Sequence, residues 1–248
     1  MTTGLQVFLA VLGVAILSMP VYALTGARRK PDPLASDAHG TFVLGSFVRS
    51  WFYWAVDPIV RVSLAVGLGP TFFNLLGVAF GIGGGVAFAT GNVTLGGWGV
   101  LLGGAADVLD GRVARALGVA DRRGAFLDST LDRFAEVGAF VGLAVLFRTS
   151  ALSLVLVVTA MGGSLLVSYA RARGESQGVV CNLGIMQRAE RLLLVGFGGL
   201  LDPTVSSVWG AGDMGTLLVP VLGIMAVGTV GTAVFRTVWI ARKLRSSN

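Results

Sequence analysis

No charged residue interrupts residues 71–90. A charge-free apolar run of that length can cross the hydrocarbon core as a helix. Further apolar segments follow at residues 93–106, 134–147, 151–169, 192–201 and 214–235, with Glu136 their only charge. Together they predict an all-α integral membrane protein, a bundle of six transmembrane helices. The chain is 54% hydrophobic and only 13% charged, against about 25% charged residues in soluble domains. Its 248 residues suit one bundle rather than several domains.

Two amphipathic or apolar stretches precede the bundle. Residues 5–24 form another spanning run, followed by Arg28, Arg29 and Lys30 but preceded by no Lys or Arg. Those flanks predict a retained anchor with its N-terminus outside, rather than a cleaved signal peptide. Residues 31–40 read as a linker. Residues 41–67 mix Phe42, Phe47, Trp51, Phe52 and Val56 with Arg49, Asp57 and Arg61, the pattern of an amphipathic helix lying in the membrane interface. The expected division is residues 1–40 as anchor and linker, and residues 41–248 as the functional domain.

Charge orients the bundle. Of the 19 Lys and Arg residues, all but Arg148 fall on one side when residues 28–30, residues 107–133, residues 170–191 and the C-terminus are placed in the cytoplasm. The net charge of +6 therefore reads as orientation and contact with anionic lipid, not nucleic-acid binding. The expected location is the cytoplasmic membrane, with a cytoplasmic C-terminus. A single Cys181 excludes an internal disulfide, and a single His39 argues against Ser-His chemistry. Gly77, Gly81 and Gly85, four apart, predict close helix packing.

Against this apolar background stand Asp107, Asp110, Asp128 and Asp132. Carboxylates beside hydrocarbon are costly, which marks them as functional. Asp107 and Asp110 are three residues apart and Asp128 and Asp132 four apart, so each pair shares a helix face. Hard oxygen donors without His or Cys suit Mg²⁺, Mn²⁺ or Ca²⁺ rather than zinc. Like charges packed this closely call for a cation, and the charge pattern places them at the cytoplasmic face.

The full window reads D-x2-D-G-x2-A-R-x8-G-x3-D-x3-D, filled by Asp107, Asp110, Gly111, Ala114, Arg115, Gly124, Asp128 and Asp132. It resembles the signature of the CDP-alcohol phosphatidyltransferases, and the resemblance covers residues 41–245. It implies an enzyme that moves a phosphatidyl group from CDP-diacylglycerol to an alcohol and releases CMP. It implies Asp107, Asp110, Asp128 and Asp132 as ligands of Mg²⁺ or Mn²⁺, two ions in all, with Asp132 also the general base. Asp107, Gly111, Ala114, Arg115 and Gly124 would meet the nucleotide. The family often opens its first core span with Pro-Asn-x-x-Thr. Here Pro70 is kept while Thr71 and Asn74 exchange the polar types, and Asn74 is assigned to the nucleotide site. A homodimer is the implied assembly.

The acceptor alcohol is read from basic residues. Arg171 and Arg173 close one span, Arg188 and Arg191 open the next, and Arg236 lies near the inner end of the last. These segments are similar to prokaryotic phosphatidylinositol-phosphate synthase-like members, in which basic residues surround an acceptor phosphate. Inositol phosphate is the expected acceptor, with glycerol 3-phosphate the nearest alternative. Intramembrane prenyltransferases usually carry two widely separated aspartate motifs, whereas here both pairs share one window. A cation transporter would account for the aspartates but not for the Gly, Ala and Arg positions between them.

Overall fold

The computed structural model describes residues 3–24, 45–209 and 214–246. Expectations for the linker at 31–40, His39, the basic cluster at 28–30 and Phe42 lie outside the described residues. The described residues form helices and turns: α1 (Thr3–Leu24), α2 (Gly45–Ala65), α3 (Pro70–Ala89), α4 (Val93–Leu117), α5 (Arg122–Leu146), α6 (Ala151–Glu175), α7 (Arg188–Val208) and α8 (Leu218–Arg245).

Local chemistry explains where the helices begin and end. Pro70 opens α3, where its missing N–H costs nothing. The Asn92 side chain accepts from Leu95 N at 3.2 Å and caps α4. Gly118, at φ +67°, closes α4 in the left-handed region. Asp121 then accepts from Gly124 N at 2.6 Å and starts α5. This tight reversal turns the two aspartate-bearing helix ends toward each other. α8 lacks a cap from its own N-cap side chain. Instead the fully buried Asp202 of α7 accepts from the amides of Gly215, Leu217 and Leu218 at 2.9, 2.8 and 3.0 Å.

Several boundaries differ from the sequence expectation. The segment placed at 192–201 belongs to a longer helix, α7, and the last helix begins at Leu218 rather than 214 because Gly215, at φ +103°, sits in the preceding turn. The interfacial segment predicted over 41–67 is helical as α2 from Gly45 to Ala65. Among the described residues, α3, α6 and α8 are long and apolar enough to cross a membrane. The other core helices carry more charge: α4 gives its C-terminal half and α5 its N-terminal half to charged residues, and α7 carries Arg188, Glu190, Arg191 and Asp202.

Helix α3 packs against both α4 and α5 through small residues. A Cβ added at Gly81 would lie 2.6 Å from Ala135 Cβ, and one at Gly99 would lie 2.6 Å from Gly84 Cα. Only glycine permits backbones this close, as the spacing of Gly77, Gly81 and Gly85 predicts. Phe88, Phe140, Leu143, Leu222 and Met225 fill the main core. A second core joins α2 to the site: Val56 and Val60 pack on Phe73, Leu109 and Val113. Arg112 of α4 reinforces it, 3.4 Å from Asp57 and 4.9 Å from the centre of the Tyr53 ring. α1 meets α2, where Trp51 Nε1 donates to Ser18 Oγ at 2.9 Å.

Candidate active site

Three of the four aspartates converge. Oxygens of Asp107 and Asp110 on α4 and Asp128 on α5 all lie within 4.8 Å of one another. Three hard carboxylate donors at this separation fit one Mg²⁺ or Mn²⁺. Asn74 of α3 joins them directly. Oriented with its amide nitrogen toward the carboxylates, it donates to Asp110 Oδ2 at 2.9 Å and Asp128 Oδ1 at 3.2 Å. Asn74 thus steadies the aspartates, a placement that the nucleotide assignment did not anticipate.

Asp132 is linked to that triad through Arg188. Its Oδ1 accepts from Arg188 Nη2 at 2.5 Å, and Arg188 Nη1 reaches Asp107 Oδ2 at 2.6 Å. A cavity opens beside these groups, lined by Asn74, Asp107, Asp110, Asp132, Glu136 and Arg188 at its polar end. Deeper in, Phe140, Leu143 and Met225 make its wall apolar. Gly111, Ala114, Arg115 and Gly124 are not among its lining residues. Gly111, Ala114 and Arg115 are half-buried and Gly124 exposed, further along α4 and α5 toward their connecting turn. Another aspartate in the same stretch, Asp121, serves the α5 cap instead.

The five arginines expected around an acceptor phosphate separate. Arg188 and Arg191 line the cavity. Arg191 is buried and bonds Glu136 through both carboxylate oxygens, at 2.7 and 3.2 Å, and donates to the Met186 carbonyl at 3.3 Å. Arg236 is buried and donates to the carbonyls of Leu183 and Val167 at 2.8 and 3.1 Å. Arg171 pairs with Glu175 at 2.8 Å, and it and Arg173 are exposed at the end of α6.

Sequence reasoning left Glu136 without a role. The structure makes it the anchor of Arg191 and, at 3.3 Å, of Arg133, which also donates to Ser168 Oγ at 2.8 Å. The available signal was a lone carboxylate in an apolar segment, which demands a cationic partner. Its partner lies 55 residues away in sequence, beyond the reach of any local pattern.

The aspartates lie beyond the apolar segments 93–106 and 134–147, at the charged ends of α4 and α5. In the metal-free protein Asp110, Asp128 and Asp132 hold protons unusually well. Burial, then repulsion from Asp128, Asp107 and Asp132, pushes Asp110 from near 3.8 up to about 9. Burial raises Asp132 to about 8; Arg188 opposes the rise, and Asp107 and Asp128 add to it. Asp128 moves to about 6 through burial and Asp107, with Arg188 again opposing.

A stability prediction follows from these directions. The unfolded chain loses the same protons near the ordinary carboxylate range, whereas the folded metal-free protein keeps them to higher pH. The contribution of these three carboxylates to metal-free stability is therefore greatest at the acid end and declines as pH rises toward about 9. A divalent cation needs the deprotonated carboxylates, so its stabilising effect grows over the same range. The melting temperature in EDTA is expected to be lower at about pH 9 than at about pH 6, and the gain from Mn²⁺ larger at the higher pH. A gain from Mn²⁺ that does not change with pH would contradict this.

The family model described as CDP-alcohol phosphatidyltransferase matches residues 67–239. The chain belongs to that family and is an enzyme of its class. It is 34% identical over 220 residues to phosphatidylinositol phosphate synthase of Streptomyces avermitilis, a match covering 84% of this chain and 87% of that one. Archaetidylinositol phosphate synthase of Methanothermobacter thermautotrophicus is 35% identical over 145 residues, 58% of this chain and 71% of that one. Among solved structures, Mycobacterium tuberculosis phosphatidylinositol phosphate synthase with CDP-DAG bound aligns with a TM-score of 0.64 and 29% identity, over 74% of this chain and 92% of that one. The same enzyme in complex with manganese and citrate aligns with a TM-score of 0.64 and 31% identity, over 73% of this chain and 88% of that one.

Proposed function

We propose that this enzyme transfers the phosphatidyl group of CDP-diacylglycerol to inositol phosphate, giving phosphatidylinositol phosphate and CMP. The observation that carries the reading is the convergence of Asp107, Asp110 and Asp128 beside a cavity that also holds Asp132 and two arginines. The relatives named phosphatidylinositol phosphate synthase, and the related structure with CDP-DAG, support the choice of substrates.

Asp107, Asp110 and Asp128 would hold the first divalent cation, and Asp132 and Asp107 would share in a second. Bound Mg²⁺ or Mn²⁺ neutralises diphosphate charge and stabilises the departing phosphate. Asp132 receives the proton of the alcohol hydroxyl as its oxygen attacks the phosphorus that bears the diacylglycerol. The bond from that phosphorus to the bridging oxygen breaks, and the oxygen leaves on CMP. Because a nearby cation lowers the basicity of Asp132, its contribution rests on position rather than on a high pKa. Gly111, Ala114, Arg115 and Gly124 flank the nucleotide, with Asn74 and Asp107 at its phosphate end. Arg171, Arg173, Arg191 and Arg236 supply the charge that selects a phosphorylated alcohol, since guanidinium forks match phosphate oxygens.

The proposed setting is a homodimer in the cytoplasmic membrane. The six helices α3 to α8 span it, α2 lies in the interface and α1 anchors the N-terminus. The site and C-terminus face the cytoplasm, where soluble acceptor and Mg²⁺ are available. The test uses purified protein with CDP-diacylglycerol and a panel of inositol phosphate, glycerol 3-phosphate, serine and inositol, with lipid products identified by mass. Inositol phosphate is expected to yield phosphatidylinositol phosphate and CMP, and EDTA to stop both. A glycerol 3-phosphate product without an inositol phosphate product overturns the acceptor. No CMP release with any alcohol overturns the transferase reading.

A further inference from the structure

Arg188 links two carboxylates that have different assigned roles. One terminal nitrogen lies 2.6 Å from Asp107, a member of the converging triad, and the other 2.5 Å from Asp132, which is outside it. The side chain is 21% exposed, and its Nε is buried with no protein acceptor. Both terminal nitrogens of the fork are thus engaged by the oxygens that a cation near Asp132 would need. A fixed guanidinium and a divalent ion repel each other and compete for those lone pairs.

We propose that Arg188 is a displaceable internal counter-ion. It holds Asp107 and Asp132 in the metal-free enzyme, restrains divalent binding there, and transfers to a phosphate oxygen when a nucleoside diphosphate arrives with the cation. The first half stands on the ion pairs alone. The second rests on the substrate reading above. In this view Arg188 is a positioning residue for Asp132 before substrate binds. The polar phosphate group draws it away only when cation and substrate are both present, which couples their binding in both directions.

The experiment is Mn²⁺ binding by the full-length protein in detergent, followed by the resonance of free Mn²⁺, with and without CDP. Arg188→Gln is expected to bind Mn²⁺ at least about tenfold more tightly than the parent without CDP, because close charge pairs commonly couple by a decade or more. CDP is expected to tighten Mn²⁺ binding in the parent and to do so less in Arg188→Gln. Arg188→Lys keeps the charge but cannot fork across two carboxylates, so its Mn²⁺ affinity is expected to fall between the two. It also serves as the test variant if the glutamine protein does not fold. Mn²⁺ affinity without CDP that is unchanged or weaker in the folded variants overturns the counter-ion. A CDP effect of equal size in the parent and Arg188→Gln overturns the transfer to phosphate. Absence of CMP release from CDP-diacylglycerol, with the expected Mn²⁺ shifts intact, would instead overturn the transferase reading and leave the counter-ion standing.

Discussion

Asp132→Asn is expected to lower CMP release by about 10²- to 10⁴-fold, the range in which a positioned general base contributes. Tight binding of one Mn²⁺ should survive the change. The converging oxygens belong to Asp107, Asp110 and Asp128, and Asp132 is held separately by Arg188. Asparagine keeps the shape and an oxygen that can still accept from Arg188, but it cannot take a proton. The informative comparison is with Asp110→Asn, which removes a buried member of the triad and should lose Mn²⁺ binding and CMP release together. Single-turnover CMP release and Mn²⁺ titration on both variants separate the two roles. CMP release unchanged in Asp132→Asn would show that another group takes the proton.

The second large effect is on stability. Glu136→Gln is expected to destabilise the protein by about 3–5 kcal/mol, as is usual when one partner of a buried ion pair is removed. The side chains of Glu136 and Arg191 are 6% and 2% exposed, so the stranded guanidinium has little solvent to turn to. Reversible denaturation in mixed micelles measures the loss. The paired change Glu136→Leu with Arg191→Met removes both charges and should recover much of it, because apolar replacements of buried pairs are often neutral or better. If Arg191 also contacts the acceptor, the paired variant will fold yet require far more inositol phosphate for half-maximal rate. A normal KM in the stable double variant would restrict Arg191 to a structural role. An undiminished stability in Glu136→Gln would show that the pair contributes little.

Much of the architecture was legible because its signals are local. Apolar segments predicted the core helices, and their errors fell at the ends, where residues 214–217 turn before Leu218 and where charged residues extend α7 outward from the predicted apolar segment. The repeated Gly77, Gly81 and Gly85 pointed to close packing, which the clash at Gly81 bears out. Asn74 was singled out as a polar residue near the start of a span, but its neighbours could not be inferred. They are Asp110 and Asp128 on two other helices. Asp202 drew no attention, although it secures the start of α8 through three amides. Its role depends on a turn that folds back over α7.

The amino-acid sequence by itself determined the membrane-protein class and the carboxylate cluster, since hydrophobic length, charge placement and the spacing of Asp107, Asp110, Asp128 and Asp132 are properties of short segments, and the class of enzyme was legible through the resemblance of that window to a family signature. It also determined the reversal between the aspartate pairs, through Gly118 and the Asp121 cap. Only the tertiary structure decided how the ionisable groups are partnered. It linked Asp132 to the converging triad by giving Arg188 to two aspartates, and gave Arg191 to Glu136. The physical reason is that a charge beside hydrocarbon must find an opposite charge or a hydrogen bond. Which groups meet is set by the approach of helices distant in sequence, not by the spacing of residues along one of them.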